Sequence, residues 1–185
     1  MITHKGTVVL ESDRLILRRF VVNDAEMMFR NWASDPVVTQ FMTWPAHVDV
    51  SVSQAVLDMW VKDYERENSY QWAIVPKAFG EPIGSIGVVG ILDSVQSAEI
   101  GYCIGQNWWH QGYTSEALSL VLRFLFEEVG FNRIQACHDI QNPNSGGVMR
   151  KCSMMFEGTL RQFGVNNQGI VDIAMYSILK SEWNP

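Results

Sequence analysis

Hydrophobic and polar residues along the first 70 positions follow one strand pattern and two helical patterns. Residues 10–20 alternate in part between apolar and polar side chains, which predicts an opening strand. Residues 25–33 have helical spacing, and the prolines within 35–50 predict an irregular loop. A second amphipathic helix is predicted over 51–67.

The middle of the chain changes to strand patterns and then to a strongly apolar helix. Three strands are predicted over 70–75, 83–92 and 97–104, because short β-prone runs are separated by turn residues. Residues 114–128 are apolar almost all round a helix and end at Gly130. A helix of this kind is expected to be buried against a sheet.

The last third of the chain predicts a strand, a helix and a hairpin. The strand covers 133–138 and the helix 143–151, and the hairpin strands 156–165 and 170–179 are joined by a polar turn. Strands mixed with helices in this way indicate an α/β fold, or an α+β sandwich, built around one sheet.

The length, charge and cysteine content of the chain limit the classes of protein to which it can belong. The 185 residues, 47 % of them hydrophobic, are enough for one domain, 1–185, with a buried core. The net charge of −6 argues against a nucleic-acid binder, which presents a basic face. Cys103, Cys137 and Cys152 lack metal-ligand spacing, so reduced thiols and no metal are expected. Because no run resembles a secretion signal or membrane span, we expect a cytoplasmic protein without a membrane partner.

One segment has the pattern of a phosphate-binding loop. An alternating strand ends at Gly105, a polar and aromatic loop centred on Gly112 follows, and Thr114 opens the apolar helix. Unpaired N–H groups and the positive end of the helix dipole then point at one spot, as an anionic ligand requires. An ordinary strand-to-helix connection with a turn glycine is the alternative for this segment taken alone.

Three motifs occur in a characteristic order. They are Glu99-Ile100-Gly101-Tyr102, the run 109–117 (Trp-His-Gln-Gly-Tyr-Thr-Ser-Glu-Ala) and the run 142–154 that begins Asn-Pro-Asn-Ser. With the opening strand and the terminal hairpin, this order resembles the GNAT superfamily of acyl-CoA-dependent N-acetyltransferases over nearly the whole chain. The branch it resembles most is that of the ribosomal-protein N-terminal (alanine/serine) acetyltransferases.

The resemblance implies a fold and a co-substrate. The fold would be a mixed, mostly antiparallel sheet of about seven strands, with the fourth and fifth strands splayed apart and about four helices on its faces. Acetyl-CoA would bind to the loop and along the freed strand edge, although a fully paired core strand is the alternative there. The positions matching the family's CoA-binding residues are Tyr102, Cys103, Ile104, Trp109, His110, Gln111, Gly112, Tyr113, Thr114, Ser115, Asn142 and Ser145.

Two positions depart from the family pattern. Thr114 places a β-carbon and a hydroxyl where Gly or Ala is common, close to the expected phosphates. Ser153 replaces a glycine that would end the short helix in a left-handed conformation, so either strain at Ser153 or a different end of the helix is expected.

The family match also suggests catalytic roles. Ser145 corresponds to a hydroxyl near the CoA sulfur that can protonate the departing thiolate; satisfying backbone donors in a first helical turn is its alternative role. Glu99 is the first candidate for the base that accepts the amine proton, and an exposed strand carboxylate is the alternative. His138 is the second candidate, and a structural histidine is equally compatible with the sequence. A chain of water molecules that carries the amine proton away, with no single side chain as the base, is the third alternative.

The acceptor is expected near the loop between the first two helices. Trp44 and His47 in that loop, together with Glu99, are the predicted acceptor-binding residues. The acceptor would be a peptide N-terminal α-amine or a small amine, which attacks the thioester directly. The sequence leaves open whether the protein is a monomer or a homodimer.

Two other functions were compared with the enzyme. A non-catalytic acyl-CoA-binding or protein-interaction module on the same fold would keep the loop and could lose Ser145 or Glu99, which are both present. A Rossmann-type nucleotide enzyme needs Gly-x-Gly-x-x-Gly after an early strand, and the glycines of 84–90 have a different spacing.

Overall fold

The structure is a computed structural model that describes residues 2–184. Within that range, eight strands form one sheet in the order β1-β2-β3-β4-β5-β6-β8-β7. All neighbours are antiparallel except β5 and β6, which are parallel. The strands are β1 (Leu10–Glu11), β2 (Leu15–Arg18), β3 (Gln71–Pro76), β4 (Gly84–Leu92), β5 (Ser97–Ile104), β6 (Arg133–Asp139), β7 (Met155–Asn166) and β8 (Gly169–Leu179).

Helices cover both faces of the sheet. Helices α1 and α4 each continue into a π-helical turn, over Phe29–Ala33 and Phe124–Val129. Of the described helices, none is long and apolar enough to cross a bilayer. The helices are α1 (Ala25–Met28), α2 (Pro36–Thr39), α3 (Val50–Asp63), α4 (Tyr113–Arg123) and α5 (Pro143–Lys151).

Two predicted elements differ from the structure for local reasons. The opening strand is two short antiparallel strands, because the Ser12 hydroxyl accepts a hydrogen bond from the Leu15 amide and turns the chain. The loop over 35–50 contains α2, since the Asp35 carboxylate accepts from the Val37 amide and Pro36 occupies the first helical turn. A capping Asp followed by Pro starts a helix as readily as it ends one.

The core has two layers, one on each face of the sheet. The larger layer packs α4 against the sheet, and its buried side chains include Ile100 of β5. The smaller layer lies under α1 and α3 and includes Cys103 of the same strand. Because successive side chains of a strand point to opposite faces, Glu99 shares the face of Cys103.

The splayed strand pair is present. Parallel pairing of β5 with β6 covers Ser97, Ala98 and Glu99, and the two strands then diverge. The β6-facing edge of β5 is therefore without a strand partner from Ile100 onward, at the position where α5 begins beside it. The predicted GNAT-like fold is thus confirmed, with eight strands where about seven were expected.

Candidate active site

The freed edge of β5 opens into a cleft of about 580 Å³. Its walls come from β5, the loop before α4, the first turns of α5 and the region of α2. Of the predicted CoA-binding residues, Tyr102, Cys103, Ile104, Trp109, His110, Gly112, Thr114, Ser115, Asn142 and Ser145 line it. An extended ligand rich in amides can pair with such an edge as another strand would.

The loop before α4 is bent by two residues with positive φ. His110 has φ 60° and Gly112 has φ 84°, and Gly112 is the N-cap of α4. No side chain caps this helix, so its first N–H groups are directed at the cleft. Thr114 is 9 % exposed, so its added β-carbon is packed away from solvent. This arrangement fits a pyrophosphate, which needs several N–H donors at a helix N-terminus.

Arg14, in the β1–β2 turn, is hydrogen-bonded to the loop before α4. The Arg14 guanidinium donates to the carboxylate of Glu116, through Nε at 2.8 Å, and to the Gln111 carbonyl at 3.3 Å. Its carbon Cζ lies 4.8 Å from the ring centre of Tyr113. The Ser12 hydroxyl donates to the other carboxylate oxygen of Glu116 at 2.5 Å. Gln111 and Tyr113 therefore support the loop from outside the cleft.

Ser145 and Tyr102 form a hydroxyl pair at the start of α5. The Ser145 hydroxyl donates to the Tyr102 oxygen at 3.1 Å, and the Tyr102 hydroxyl donates to the Ser145 carbonyl at 2.9 Å. Burial raises the pKa of Tyr102 above its ordinary value, so its hydroxyl keeps its proton at neutral pH. Asn142 is the N-cap of α5 and lines the cleft, and its side chain makes no cap hydrogen bond.

Glu99 lies on the opposite face of β5 from this pair. One carboxylate oxygen accepts from the Gln135 amide at 2.9 Å, and the other lies 3.6 Å from the Cys137 sulfur. Burial, and to a smaller extent the nearby charge of Glu99, raises the pKa of the Cys137 thiol to about 12. Burial alone raises the pKa of the Cys103 thiol to about 12. Both thiols are therefore protonated at neutral pH, as small core residues would be.

His138 lies on the α5 side of the sheet and does not line the cleft. Its Nδ1 donates to the carbonyl of Asp139 at 2.7 Å, and its ring packs on Tyr176 with centroids 5.6 Å apart. Nε2 is buried without a hydrogen-bond partner among the described residues, and a Cβ on Gly146 would lie 2.5 Å from it. This placement separates His138 from the face that carries Glu99.

The predicted acceptor residues Trp44 and His47 are also outside the cleft lining. His47 is buried, its Nδ1 lies 2.8 Å from the Ser53 hydroxyl, and burial lowers its pKa. The Trp44 ring packs against His47, with centroids 5.3 Å apart. Apolar side chains of α2 and the following turn occupy this wall instead: Val37, Val38, Phe41 and Met42.

Several lining residues were missed from the sequence. Arg150 and Lys151, at the end of α5, bring positive charge to the cleft, and the Arg150 guanidinium is held by the Tyr176 hydroxyl oxygen at 2.9 Å. Adjacent basic residues ending a helix beside a phosphate loop could have indicated this role. Trp108 stacks on Phe79, a contact that no local pattern predicts. Ser153 has a left-handed backbone, with φ 62°, which is the first of its two alternatives.

Comparison with known proteins agrees with this geometry. The sequence profile of the acetyltransferase (GNAT) domain matches residues 14–155. An uncharacterized N-acetyltransferase, p20, of Bacillus licheniformis is 33 % identical over 94 % of this chain and 97 % of its own length. The ribosomal protein uS5-alanine N-acetyltransferase of Escherichia coli is 23 % identical, over 96 % of this chain and 94 % of its own.

A solved structure also has the same fold. The microcin C7 self-immunity acetyltransferase MccE, in complex with acetyl-CoA and AMP, superposes with a TM-score of 0.81 at 22 % identity. The match covers 91 % of this chain and 93 % of that one. Taken with the profile match and the cleft, these similarities show that the chain belongs to the GNAT family and is an acetyl-CoA-dependent N-acetyltransferase.

Proposed function

We propose that the protein acetylates a primary amine, either a peptide N-terminal α-amine or a small amine. The observation that carries this proposal is the splay of β5 from β6, which has the Ser145–Tyr102 pair on one face and Glu99 on the other. A thioester held along the edge of β5 would be open to an amine from the Glu99 face. The E. coli relative, named for a ribosomal-protein alanine, supports the peptide α-amine.

Acetyl-CoA supplies an acetyl group activated as a thioester, and the residues of this chain position it. The N–H groups at the start of α4 and the basic pair Arg150 and Lys151 would hold the phosphates. The edge of β5 and the Asn142 amide would hold the pantetheine arm by hydrogen bonds. Placing both reactants in one geometry supplies much of the rate enhancement without a covalent enzyme intermediate.

Proton movements are assigned to two side chains. Ser145 would donate its proton to the departing sulfur and regain one from solvent, and Tyr102, whose oxygen accepts from the Ser145 hydroxyl, would orient that hydroxyl. Glu99 would accept the proton of the attacking amine. A peptide α-amine has a pKa of about 8, so part of it is already neutral near pH 7 and a carboxylate is a sufficient base. His138, under α5, is the less favourable base, and water acting between amine and carboxylate is compatible with the same site.

Calorimetric titration with acetyl-CoA, free CoA and NADH tests the co-substrate site, and an acceptor screen then tests the reaction. The screen would use peptides with different N-terminal residues beside N-terminally blocked copies that contain lysine. We expect saturable binding of both CoA species but not of NADH, and turnover of peptides or small amines with an unblocked terminal amine. Tyr102→Phe should keep CoA binding and lose turnover about tenfold. Binding without turnover of any amine would contradict the proposed function.

A further inference from the structure

Glu99 occupies the last paired position of the β5–β6 ladder, where the two strands begin to diverge. Its partner in that ladder is Gln135, and the Gln135 amide donates to Oε2 of Glu99 at 2.9 Å. Both side chains are partly buried. The hydrogen bond between them therefore lies at the point where the sheet opens, and it occupies one of the two oxygens of the Glu99 carboxylate.

The carbonyl oxygen of the Gln135 side chain is hydrogen-bonded to an arginine of the same strand. Nη2 of Arg133 donates to Oε1 of Gln135 at 3.3 Å. Because a guanidinium group has donors and no acceptor, the atom of Gln135 that faces it must be the carbonyl oxygen. The N–H groups of the same amide are then turned towards Glu99, where a carboxylate oxygen accepts. The two neighbours of Gln135 thus determine the orientation of its amide.

Arg133 is in turn held by two residues of the terminal hairpin. Its guanidinium donates to the two carboxylate oxygens of Glu157, at 2.7 and 2.6 Å, and to the Ser177 hydroxyl at 2.9 Å. The Ser177 hydroxyl is 5 % exposed and donates to Glu157 at 2.7 Å. Bidentate pairs of this kind fix the geometry of both partners. A chain of hydrogen bonds therefore runs from Glu157 through Arg133 and Gln135 to Glu99.

The second oxygen of the Glu99 carboxylate has a weaker partner. Among the described residues, Oε1 accepts only from the Cys137 sulfur, at 3.6 Å. A thiol is a weak donor, so this contact competes poorly with an amine. Cys137 follows Gln135 by two positions on β6, so both side chains lie on the face that carries Glu99. With Oε2 bound by Gln135, Oε1 is the oxygen that can accept the amine proton.

We propose that Gln135 is a positioning residue for the acetyl transfer. It holds the Glu99 carboxylate by one oxygen and leaves the other directed at the incoming amine, and Arg133 sets the orientation of the Gln135 amide. Both residues act through Glu99 and take no proton themselves. This inference rests on the proposed function, since it concerns how the proposed base is held.

Three substitutions separate these roles. Gln135→Met keeps the length of the side chain but removes both of its hydrogen bonds. Arg133→Met removes the donor to Gln135, whereas Arg133→Lys keeps a group that donates and cannot accept. On α3, Gln54 is also partly buried and donates to Asp58 at 3.2 Å, so Gln54→Met is the matched control at a second glutamine–carboxylate pair.

The kinetic test measures kcat/KM for the acceptor with and without Glu99→Gln. We expect Gln135→Met to lower kcat/KM about tenfold when Glu99 is present, and no more than about twofold in the Glu99→Gln background. KM for acetyl-CoA should stay within about twofold. Arg133→Met should lower kcat/KM as well, Arg133→Lys should lower it less, and Gln54→Met should match the wild type.

The proposal fails if Gln135→Met lowers kcat/KM by the same factor in both backgrounds, because Gln135 would then support only the fold. An unchanged kcat/KM in Gln135→Met, or in Glu99→Gln, would overturn it as well. Thermal unfolding checks that each variant is folded. None of these outcomes affects the proposed function, which requires only that the wild type acetylates an amine.

A second readout needs no acceptor. The side-chain amide signals of Gln135 in a nitrogen–proton NMR spectrum, assigned by their absence in Gln135→Met, report its two hydrogen bonds. Arg133→Met and Glu99→Gln should each shift these signals and speed their exchange with solvent, and Arg133→Lys should shift them less. Unmoved signals would refute the arrangement. If the wild type acetylates no amine, the proposed function fails, and these signals alone decide whether Gln135 is held between Arg133 and Glu99.

Discussion

Replacing Arg14 should weaken CoA binding without changing the chemistry. The side chain reaches from the β1–β2 turn to Glu116 and Gln111, so it joins two ends of the phosphate loop. Arg14→Ala would release the loop and leave the Glu116 carboxylate uncompensated in the first turn of α4. A negative charge there opposes the phosphates that the helix N-terminus is expected to bind.

The size of the expected loss in CoA affinity follows from the solvent exposure of Arg14 and Glu116. The Arg14 side chain is 50 % exposed and that of Glu116 is 22 % exposed, so solvent screens their attraction. A partly exposed pair of this kind contributes about 1 kcal/mol, which corresponds to roughly fivefold in a dissociation constant. Glu116→Gln removes the uncompensated charge, so the double variant should recover part of the loss that Arg14→Ala causes.

Calorimetry with free CoA measures this effect without an acceptor. We expect Kd to rise about three- to tenfold in Arg14→Ala, and kcat at saturating acetyl-CoA to stay within about twofold. Lys77→Ala is the matched control, because Lys77 forms an exposed pair with Glu11, at 3.0 Å, on a neighbouring part of the sheet. An unchanged Kd, or a loss confined to kcat, would refute the idea that Arg14 positions the loop.

Four further outcomes are expected. Glu99→Gln should lower kcat/KM about a hundredfold, with CoA affinity unchanged by calorimetry. Ser145→Ala should lower kcat about tenfold but Kd for CoA less than twofold, as measured by single-turnover kinetics and titration. Ser153→Gly should raise the free energy of unfolding, measured in urea, by about 0.5 kcal/mol. Glycine adopts a φ of 62° without strain, and this gain exceeds the extra conformational entropy that glycine loses on folding. Hydrogen bonding to Arg133 lowers the pKa of Glu157 from 4.5 to about 2. The folded state therefore binds fewer protons, and the stabilisation is complete above about pH 4.5 and is lost as the pH falls towards 2. In thermal unfolding, Arg133→Gln should remove this part of the acid sensitivity.

Local features of the site could be predicted from the sequence. Gly112 immediately precedes α4, so one segment of the sequence is enough to predict the loop, the N-cap and the apolar helix. The strand edge at Tyr102 followed from the family resemblance, and the position of Ser153 in a left-handed conformation followed from the glycine it replaces.

Long-range contacts could not be predicted in the same way. The approach of Asn167 to Met42 depends on the docking of a terminal hairpin against a short helix. The orientation of His138 depends on strand register, because a shift of one residue moves a side chain to the other face. The packing of the Trp44 ring against His47 depends on the path of an irregular loop, which no periodic pattern predicts.

The short ladder between β5 and β6 separates the sheet into two groups of strands. Strands β1 to β5 form one block and β6, β7 and β8 another, and only three paired positions, Ser97 to Glu99, join them directly among residues 2–184. Glu99, the proposed base, belongs to this ladder. The same three pairs that join the two blocks therefore also set where its carboxylate stands relative to the freed edge of β5.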